Sequence, residues 1–240
     1  MRGRVEIVAE DDGSGSTRLV RLSSGPPLTA RQTLDGVTLV ASAGGPLGGD
    51  VMDVAVQVGP GARLVVGSAA AAVVQPSRTG GDALLRLDVE VAAGGAVTWR
   101  PRPTVVAARA SYRAETTVRL EPGAILDLTE VTVLGRHAEA HGSAALRLDV
   151  ERDGLPLLRT ESGWGTGGWP GAAGPAVLGG ARVVGTSLVV GAAAPTVPPG
   201  LDAEVFPLAD DAWLVTALGS STVEVEAALT GGPAAVAGAR

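Results

Sequence analysis

The chain has 240 residues, a formal net charge of −6 and no cysteine, which excludes disulfides, thiolate metal sites and cysteine nucleophiles. Every basic residue is arginine, so a Schiff-base lysine and a phosphate-loop lysine are excluded as well. No basic stripe with interleaved aromatic residues is present, which argues against a nucleic-acid partner. No uninterrupted apolar stretch is long enough to cross a bilayer, and the first residues turn acidic before the apolar core of a signal peptide can form. We therefore expect a cytoplasmic protein.

Alternating apolar and polar residues recur along the chain and predict half-buried β-strands, whereas helical periodicity is nearly absent. The clearest runs lie at 54–58, 85–91, 118–120 and 146–150. In each run the apolar side chains fall on one face of a strand and the polar ones on the other. These runs predict sheets that cover a core with one face.

Three similar corners follow such runs, at 59–62 (GPGA), 93–96 (AGGA) and 121–124 (EPGA). Their third residue is always glycine, and proline or glycine precedes it, as a type II turn requires. Type II turns splay a tight hairpin, so the corners predict a chain that passes between stacked layers. Because they recur about every thirty residues, a repeat unit is indicated. We predict an all-β fold, an irregular β-helix or solenoid-like stack of sheets with one or two short helices.

Some stretches depart from this pattern. Residues 11–16 form a polar loop, and the glycine-rich stretch 162–180 is expected to be a long surface loop with a short helix near Ala176. Towards the end, Val223 and Val225 suggest a last strand. We expect one β-helical domain over residues 1–230 and a disordered tail at 231–240.

The two histidines, His137 and His141, lie in the segment GRHAEAH with Glu139 between them. On a helix the two imidazoles would share a face about 6 Å apart and could chelate one metal ion. On a strand they would stand about 13 Å apart, too far to share an ion. Strands on both sides favour the second geometry. A solvated strand edge or turn is the more ordinary interpretation of such a segment.

Acidic pairs are the other candidates for chemistry. On a β-solenoid such pairs can hydrolyse polysaccharides, but neighbouring acids in turns are more often solvated loop residues. Acyl transfer is disfavoured because no G-x-S-x-G motif positions a serine nucleophile. The acidic pairs are Asp11 with Asp12, Asp50 with Asp53, and Asp210 with Asp211.

The segment GGPLGGD at 44–50 places four glycines before Asp50, which opens a strand. It is not a phosphate-binding loop, because no lysine follows. A tight loop is sufficient reason for the glycines, although they would also let a partner or an ion approach the backbone closely.

From this segment onward the order of motifs resembles the UreD/UreH family of urease accessory proteins. No single motif is specific, but their order and spacing match over about residues 20–160. The matching motifs are LTARQ at 28–32, GGPLGGD at 44–50, PGARL at 60–64, WRPRPT at 99–104, YRAETTVRL at 112–120, PGAIL at 122–126 and GR at 135–136. The chain departs from the family at 67–74, which is almost all alanine and valine, and at 135–141, where the family's G-R-x-x-x-G-E is altered.

The resemblance implies a non-enzymatic β-helical scaffold that acts with the helical protein UreF and the GTPase UreG to deliver nickel to apo-urease. It implies no permanently bound cofactor, with nickel only in transit. Asp50 matches the family's acid and is the first candidate for a nickel-transit residue. His137, Glu139 and His141 are further candidates on chemistry alone, because nickel accepts imidazole and carboxylate ligands.

Two other classes remain open. One is a β-solenoid carbohydrate-active enzyme that uses an acidic pair, and the other is a structural or adhesive repeat protein. An acidic pair in a cleft with aromatic walls would support the enzyme, and a uniform repeat with polar capping ends would support the adhesin.

Overall fold

A computed structural model of the chain describes residues 1–78, 80–165 and 171–230. The predicted tail at 231–240 lies outside these residues. The described part contains strands and one helix, which in chain order are β1 (Arg2–Asp11), β2 (Thr17–Ser24), β3 (Leu28–Thr33), β4 (Gly36–Ala41), β5 (Val51–Val58), β6 (Arg63–Ser68), β7 (Ala72–Val74), β8 (Ala83–Val91), β9 (Ala96–Arg100), β10 (Thr104–Val106), β11 (Ser111–Leu120), β12 (Ile125–Leu134), β13 (Ser143–Arg152), β14 (Leu155–Trp164), β15 (Val183–Val190), β16 (Asp202–Ala209), β17 (Ala212–Gly219) and α1 (Thr222–Thr230). No helix in this part is long and apolar enough to cross a membrane.

The strands form two sheets. The first sheet has the order β14-β13-β11-β8-β5-β1-β2, and the second has the order β16-β17-β15-β12-β9-β6-β4-β3, with β10 beside β12 and β7 beside β10. Strands β5, β8, β11 and β13 are parallel neighbours, as are β6, β9 and β12. The chain thus winds through about four turns of a solenoid-like stack. The predicted all-β, stacked architecture is confirmed.

The predicted corners carry the chain from the first sheet to the second, between β5 and β6, β8 and β9, and β11 and β12. Gly61, Gly94 and Gly123 have φ of 68°, 67° and 71°, which glycine adopts without steric cost. The middle turn begins one residue earlier than predicted, because the Gly95 amide donates to the Ala92 carbonyl over 2.9 Å. Gly94, rather than Gly95, therefore takes the positive φ.

The core lies between the two sheets and consists of the inward side chains of the alternating runs. Val56 and Val89 of the first sheet and Val66, Leu126 and Leu188 of the second sheet are each fully buried in it. Branched aliphatic side chains on facing sheets interdigitate at the normal sheet spacing and fill most of this core, to which Trp99 adds an aromatic ring. The periodicity in the sequence therefore corresponds to the observed inner faces.

Helix α1 replaces the strand predicted through Val223 and Val225, and that prediction is wrong. The Ser221 hydroxyl accepts a hydrogen bond from the Glu224 amide over 3.3 Å, and the Glu224 carboxylate accepts from the Ser221 amide over 3.3 Å. This reciprocal pair is a capping box, which starts a helix. Val225, Ala228 and Leu229 are the buried residues of α1, and their spacing forms one helical face against the second sheet.

The long loop predicted at 162–180 is shorter in its described part. Strand β14 continues to Trp164, because its residues pair with β13 as far as Ala144. Residues 171–180 consist of turns without a helix near Ala176, contrary to the prediction, and residues 166–170 lie outside the described part. The predicted polar loop at 11–16 is confirmed except that Asp11 ends β1.

Candidate functional site

A cavity of about 210 Å³ lies between the two sheets, beside the first residues of the parallel strands of the first sheet. Its walls are mainly apolar and include Leu39, Met52, Leu85, Trp99 and Leu146. Apolar cavities with a few convergent polar groups are the usual form of a binding site or passage. The ionisable groups that line it, among the described residues, are Arg102, Tyr112 and Glu130.

Glu130 is the acidic side chain of this cavity. It lies on β12 with the same parity as Leu126 and Leu128, so it points towards the core rather than towards solvent. The Glu130 side chain is half-buried and borders the cavity. Burial raises the pKa of Glu130, and a hydrogen bond from Thr116 Oγ1 to Oε1 over 3.2 Å only partly offsets that rise. The neutral acid is therefore favoured over a wider pH range than for an exposed glutamate.

Hydroxyl groups accompany this carboxyl group. Tyr112 and Thr132 line the same cavity, and Tyr112 is hydrogen-bonded to the Thr104 side chain. Burial, followed by the charge of Glu130, raises the pKa of Tyr112, so the phenol stays protonated at neutral pH. The cavity thus offers one carboxyl group and several hydroxyls, a small set of oxygen donors in an otherwise apolar space.

Asp50 lies next to the cavity and stabilises a loop that forms part of the cavity wall. Its carboxylate accepts hydrogen bonds from the Met1 amino group and, over 2.9 Å, from the Leu47 amide. Burial raises the pKa of Asp50, but these hydrogen bonds and the charge of the amino group outweigh burial and leave the pKa lowered. Gly45 and Pro46, in the loop that Asp50 closes, line the cavity. The predicted glycine-rich segment is therefore a cavity-lining loop with a buried carboxylate behind it.

The segment GRHAEAH forms a turn between β12 and β13, so the strand geometry predicted for it is wrong. Arg182 organises the turn by donating to the carbonyls of Arg136 and Glu139 over 3.0 Å and 2.7 Å. These bonds satisfy turn carbonyls that a strand partner would otherwise satisfy. His137 is exposed and His141 half-buried.

Glu139 is engaged within this turn. Its carboxylate accepts from Arg136 Nε over 2.8 Å and from the Ala108 amide over 3.3 Å. The Arg136 hydrogen bond, with the backbone amides and the charge of Arg136, lowers the pKa of Glu139 to about 2. The carboxylate is thus ionised at neutral pH and already used to join the turn to the loop after β10.

The four candidate residues do not form one metal centre. In the ranges 1–78, 80–165 and 171–230, no group of three or more His, Cys, Asp or Glu side chains could hold a metal ion. Asp50, His137, Glu139 and His141 remain predictions as nickel-transit residues, each considered by itself.

The acidic pairs do not form an obvious catalytic pair either. Asp53 is paired with Arg86 over 3.5 Å on the outer face of the first sheet, and Asp211 with Arg152 over 2.6 Å. Asp12 accepts from the Ser14 amide over 2.8 Å within its own loop. The interpretation as loop residues holds for Asp12, Asp210 and Asp211, but it is wrong for Asp50, which is buried, and for Asp53, which lies on β5.

Sequence analysis did not identify Glu130. The signal was present, because in the strand sequence ILDLTEVTVL the glutamate occupies a position of the apolar face. An acid at a core position requires a partner or a cavity. The presence of an acid on the apolar face of a predicted strand would therefore have identified Glu130.

The fold and the cavity define a class: a two-sheet β-solenoid with a mostly apolar cavity, in which Glu130 is the carboxyl group among the described lining residues. Residues 1–232 match the family described as UreD urease accessory protein. Urease accessory protein UreD of Streptomyces avermitilis is 39% identical over 91% of this chain and 90% of the relative, and that of Parafrankia sp. is 35% identical over 91% and 83%. The UreD protein of Streptomyces coelicolor is 36% identical over 96% of this chain and 95% of the relative. The chain belongs to the UreD family of urease accessory proteins.

Proposed function

We propose that this protein is a maturation factor that, with UreF-like and UreG-like accessory proteins, delivers nickel to apo-urease in the cytoplasm. Membership of the UreD family over residues 1–232 is the observation that carries the proposal. The carbohydrate-active enzyme has less support, because the acidic pairs are used in ion pairs and turns, and family membership favours the maturation factor over both alternative classes.

Nickel is the cargo of this function, and the cavity between the sheets is its route through the protein. Glu130 is the carboxyl donor of that route, and the hydroxyls of Tyr112 and Thr132 are neutral oxygen donors beside it. Oxygen donors without thiolate and with little imidazole bind nickel weakly. Weak binding suits a carrier, because the ion must leave the protein to reach urease.

The neutral state that burial favours for Glu130 supports transit over storage. A metal ion must displace the carboxyl proton to bind, so ion entry and proton release are coupled. Burial favours the neutral acid and so lowers the affinity for a cation. The same cavity would be a poor site for permanent storage.

Urease activation in cells tests this proposal. Glu130→Gln keeps the size and the acceptor for Thr116 but removes the ionisable group, and Glu115→Gln on the outer face is the matched control. We expect Glu130→Gln to lower urease activity and the nickel content of purified urease several-fold, and Glu115→Gln to leave both unchanged. The amount of each variant is measured in the same cells, so that misfolding is not mistaken for lost transit. Wild-type nickel loading in the presence of Glu130→Gln would refute the route through the cavity.

A further inference from the structure

Strand β14 is an open edge of the first sheet. Among the described residues it pairs only with β13, and no turn or loop supplies another backbone partner. Pro156 and a bulge between Val150 and Glu151 interrupt its hairpin end. From Leu158 to Ser162 the edge has neither proline nor bulge and is not buried, so its backbone groups can pair with another strand.

The outer face of the first sheet carries a row of alternating charges that ends on this edge. In the row each residue lies directly opposite the next one on the neighbouring strand. The row is Arg4, Asp53, Arg86, Glu115, Arg147 and Glu161. Because opposite charges stabilise such pairs and like charges destabilise them, Glu161 leaves a position for a positive residue on the next strand.

Arg159 lies on the same face of β14, two residues before Glu161, and opposite Asp149. The side chains of Arg159 and Glu161 are 63% and 42% exposed. Their ion pairs within the chain, to Glu151 over 3.7 Å and to Arg113 over 3.6 Å, are longer than hydrogen bonds. Exposed pairs of this length contribute little, so both charges remain available to a partner.

We infer that this protein self-associates through β14, with a second copy of the chain paired antiparallel about a two-fold axis at Thr160. In this register Arg159 of each copy lies opposite Glu161 of the other. The row of alternating charges in each copy therefore continues across the interface into the other copy. A shift of the register in either direction places Arg159 opposite Arg159 or Glu161 opposite Glu161. The charges on the edge thus select one register.

The other sheet edges lack this self-complementarity. Strand β2 contains Arg18 and Arg21 but no acid, and β3 contains Arg31 but no acid. Neither strand can therefore place an acid opposite a base when it pairs with its own copy. Strand β16 is interrupted by Pro207 and by a bulge that follows it. A second copy of β14 is therefore the occupant that the charges of β14 fit best.

Sedimentation velocity of the full chain, from micromolar to near-millimolar concentration, tests the inference. The wild type is expected to form a concentration-dependent dimer. Arg159→Glu and Glu161→Arg each create two like-charge contacts, so each variant alone should dimerise about tenfold more weakly or worse. An equimolar mixture of the two variants should associate again, because positions 159 and 161 are both acidic in one variant and both basic in the other.

Arg119→Glu and Glu90→Arg are the matched controls, since both lie on the outer face away from the edge and make the same charge changes. They should leave the dissociation constant unchanged. A chain that is monomeric throughout the concentration range, single variants that associate like the wild type, or a mixture no stronger than its components would each overturn the inference. The inference would also be overturned if the Arg159 and Glu161 variants self-associate like the wild type but no longer bind a different protein. That result would assign the edge to that partner.

Discussion

Thr116 Oγ1 donates a hydrogen bond to Glu130 Oε1 over 3.2 Å, so a side chain of the first sheet contacts the buried carboxyl group of the second. Thr116 is 1% exposed and comes from β11, whereas Glu130 comes from β12, the next strand along the chain. One corner of the solenoid therefore positions both groups on the inner faces. The pair links the core packing to the only acidic group that lines the cavity in the described part of the chain.

The contribution of Glu130 to the free energy of unfolding should fall as the pH rises above the ordinary pKa of glutamate, because burial raises the pKa of Glu130. Between the unfolded and the folded pKa, the native chain holds a proton that the unfolded chain has lost, so stability decreases with pH. Glu130→Gln removes this contribution. We expect the variant to gain stability over the wild type as the pH rises, and to lose that advantage in acid.

Thermal unfolding followed by circular dichroism at a series of pH values measures this difference. Glu115→Gln, at a half-exposed outer-face position, is the control for loss of a charge. If the unfolding temperatures of the wild type and of Glu130→Gln change in parallel with pH, the prediction is contradicted. The measurement needs no nickel and no partner, so it is independent of the proposed function.

Gly185→Ala should detach α1 from the second sheet. A Cβ atom at Gly185 would lie 2.4 Å from a Val225 methyl carbon and 2.6 Å from a Leu229 methyl carbon, within van der Waals overlap. Because both side chains are buried under the helix, we expect a loss of about 1–3 kcal/mol in the free energy of unfolding. Gly25→Ala is the control, since its added Cβ meets nothing within 4 Å and its φ is not positive. Denaturant unfolding measures both, and equal stability of the two variants would contradict the prediction.

The sequence predicted the strands and corners well because their information is local. Alternation marks which face is buried, and a glycine with positive φ marks each corner. Helix α1 was missed because the alternation of Val223 and Val225 masked the capping box of Ser221 and Glu224, which was visible in the sequence. A strand and the first turn of a helix can share one short apolar pattern, and only the cap distinguishes them.

The cavity could not be predicted in the same way. It depends on the distance between two sheets, and its lining comes from residues as far apart in the chain as Leu39 and Leu146. Nothing in a single strand shows that side chains on the facing sheet leave a gap. The β13–β14 hairpin, by contrast, can be predicted from the sequence. Asp153 and Gly154 have φ of 55° and 75° and form its two-residue turn. An Asp-Gly pair between two strands is a recognised hairpin signal.

We expect the chain to co-migrate with a UreF-like protein from the same genome. Membership of the UreD family is the ground for this expectation, because the exposed large apolar side chains such as Leu34 and Val223 lie in different parts of the fold, the β3–β4 turn and α1. Co-expression followed by size-exclusion chromatography tests the association. Independent migration of the two proteins at micromolar concentration would remove the main support for a scaffold role.

Asp50 should be more important for nickel delivery than the two histidines. Asp50→Ala removes the acceptor for the Leu47 amide and the Met1 amino group, and so loosens the loop that lines the cavity. Both donors are only partly buried, so the loss should stay below the roughly 1–3 kcal/mol that a buried donor without a partner costs. His137 and His141 lie in a turn that Arg182 and Glu139 already hold together.

Replacing both His137 and His141 with alanine should therefore affect urease activation less than Asp50→Ala does. Equilibrium nickel affinity, measured by calorimetry, should be micromolar or weaker for the wild type and should change less than activation in Asp50→Ala, because a loop residue acts on the passage rather than as a tight ligand. Urease activity in cells with the full accessory set measures activation, and soluble protein levels exclude misfolding as the cause. If the double-histidine variant abolishes activation while Asp50→Ala is silent, the order is inverted and the turn at 135–141 lies on the metal path.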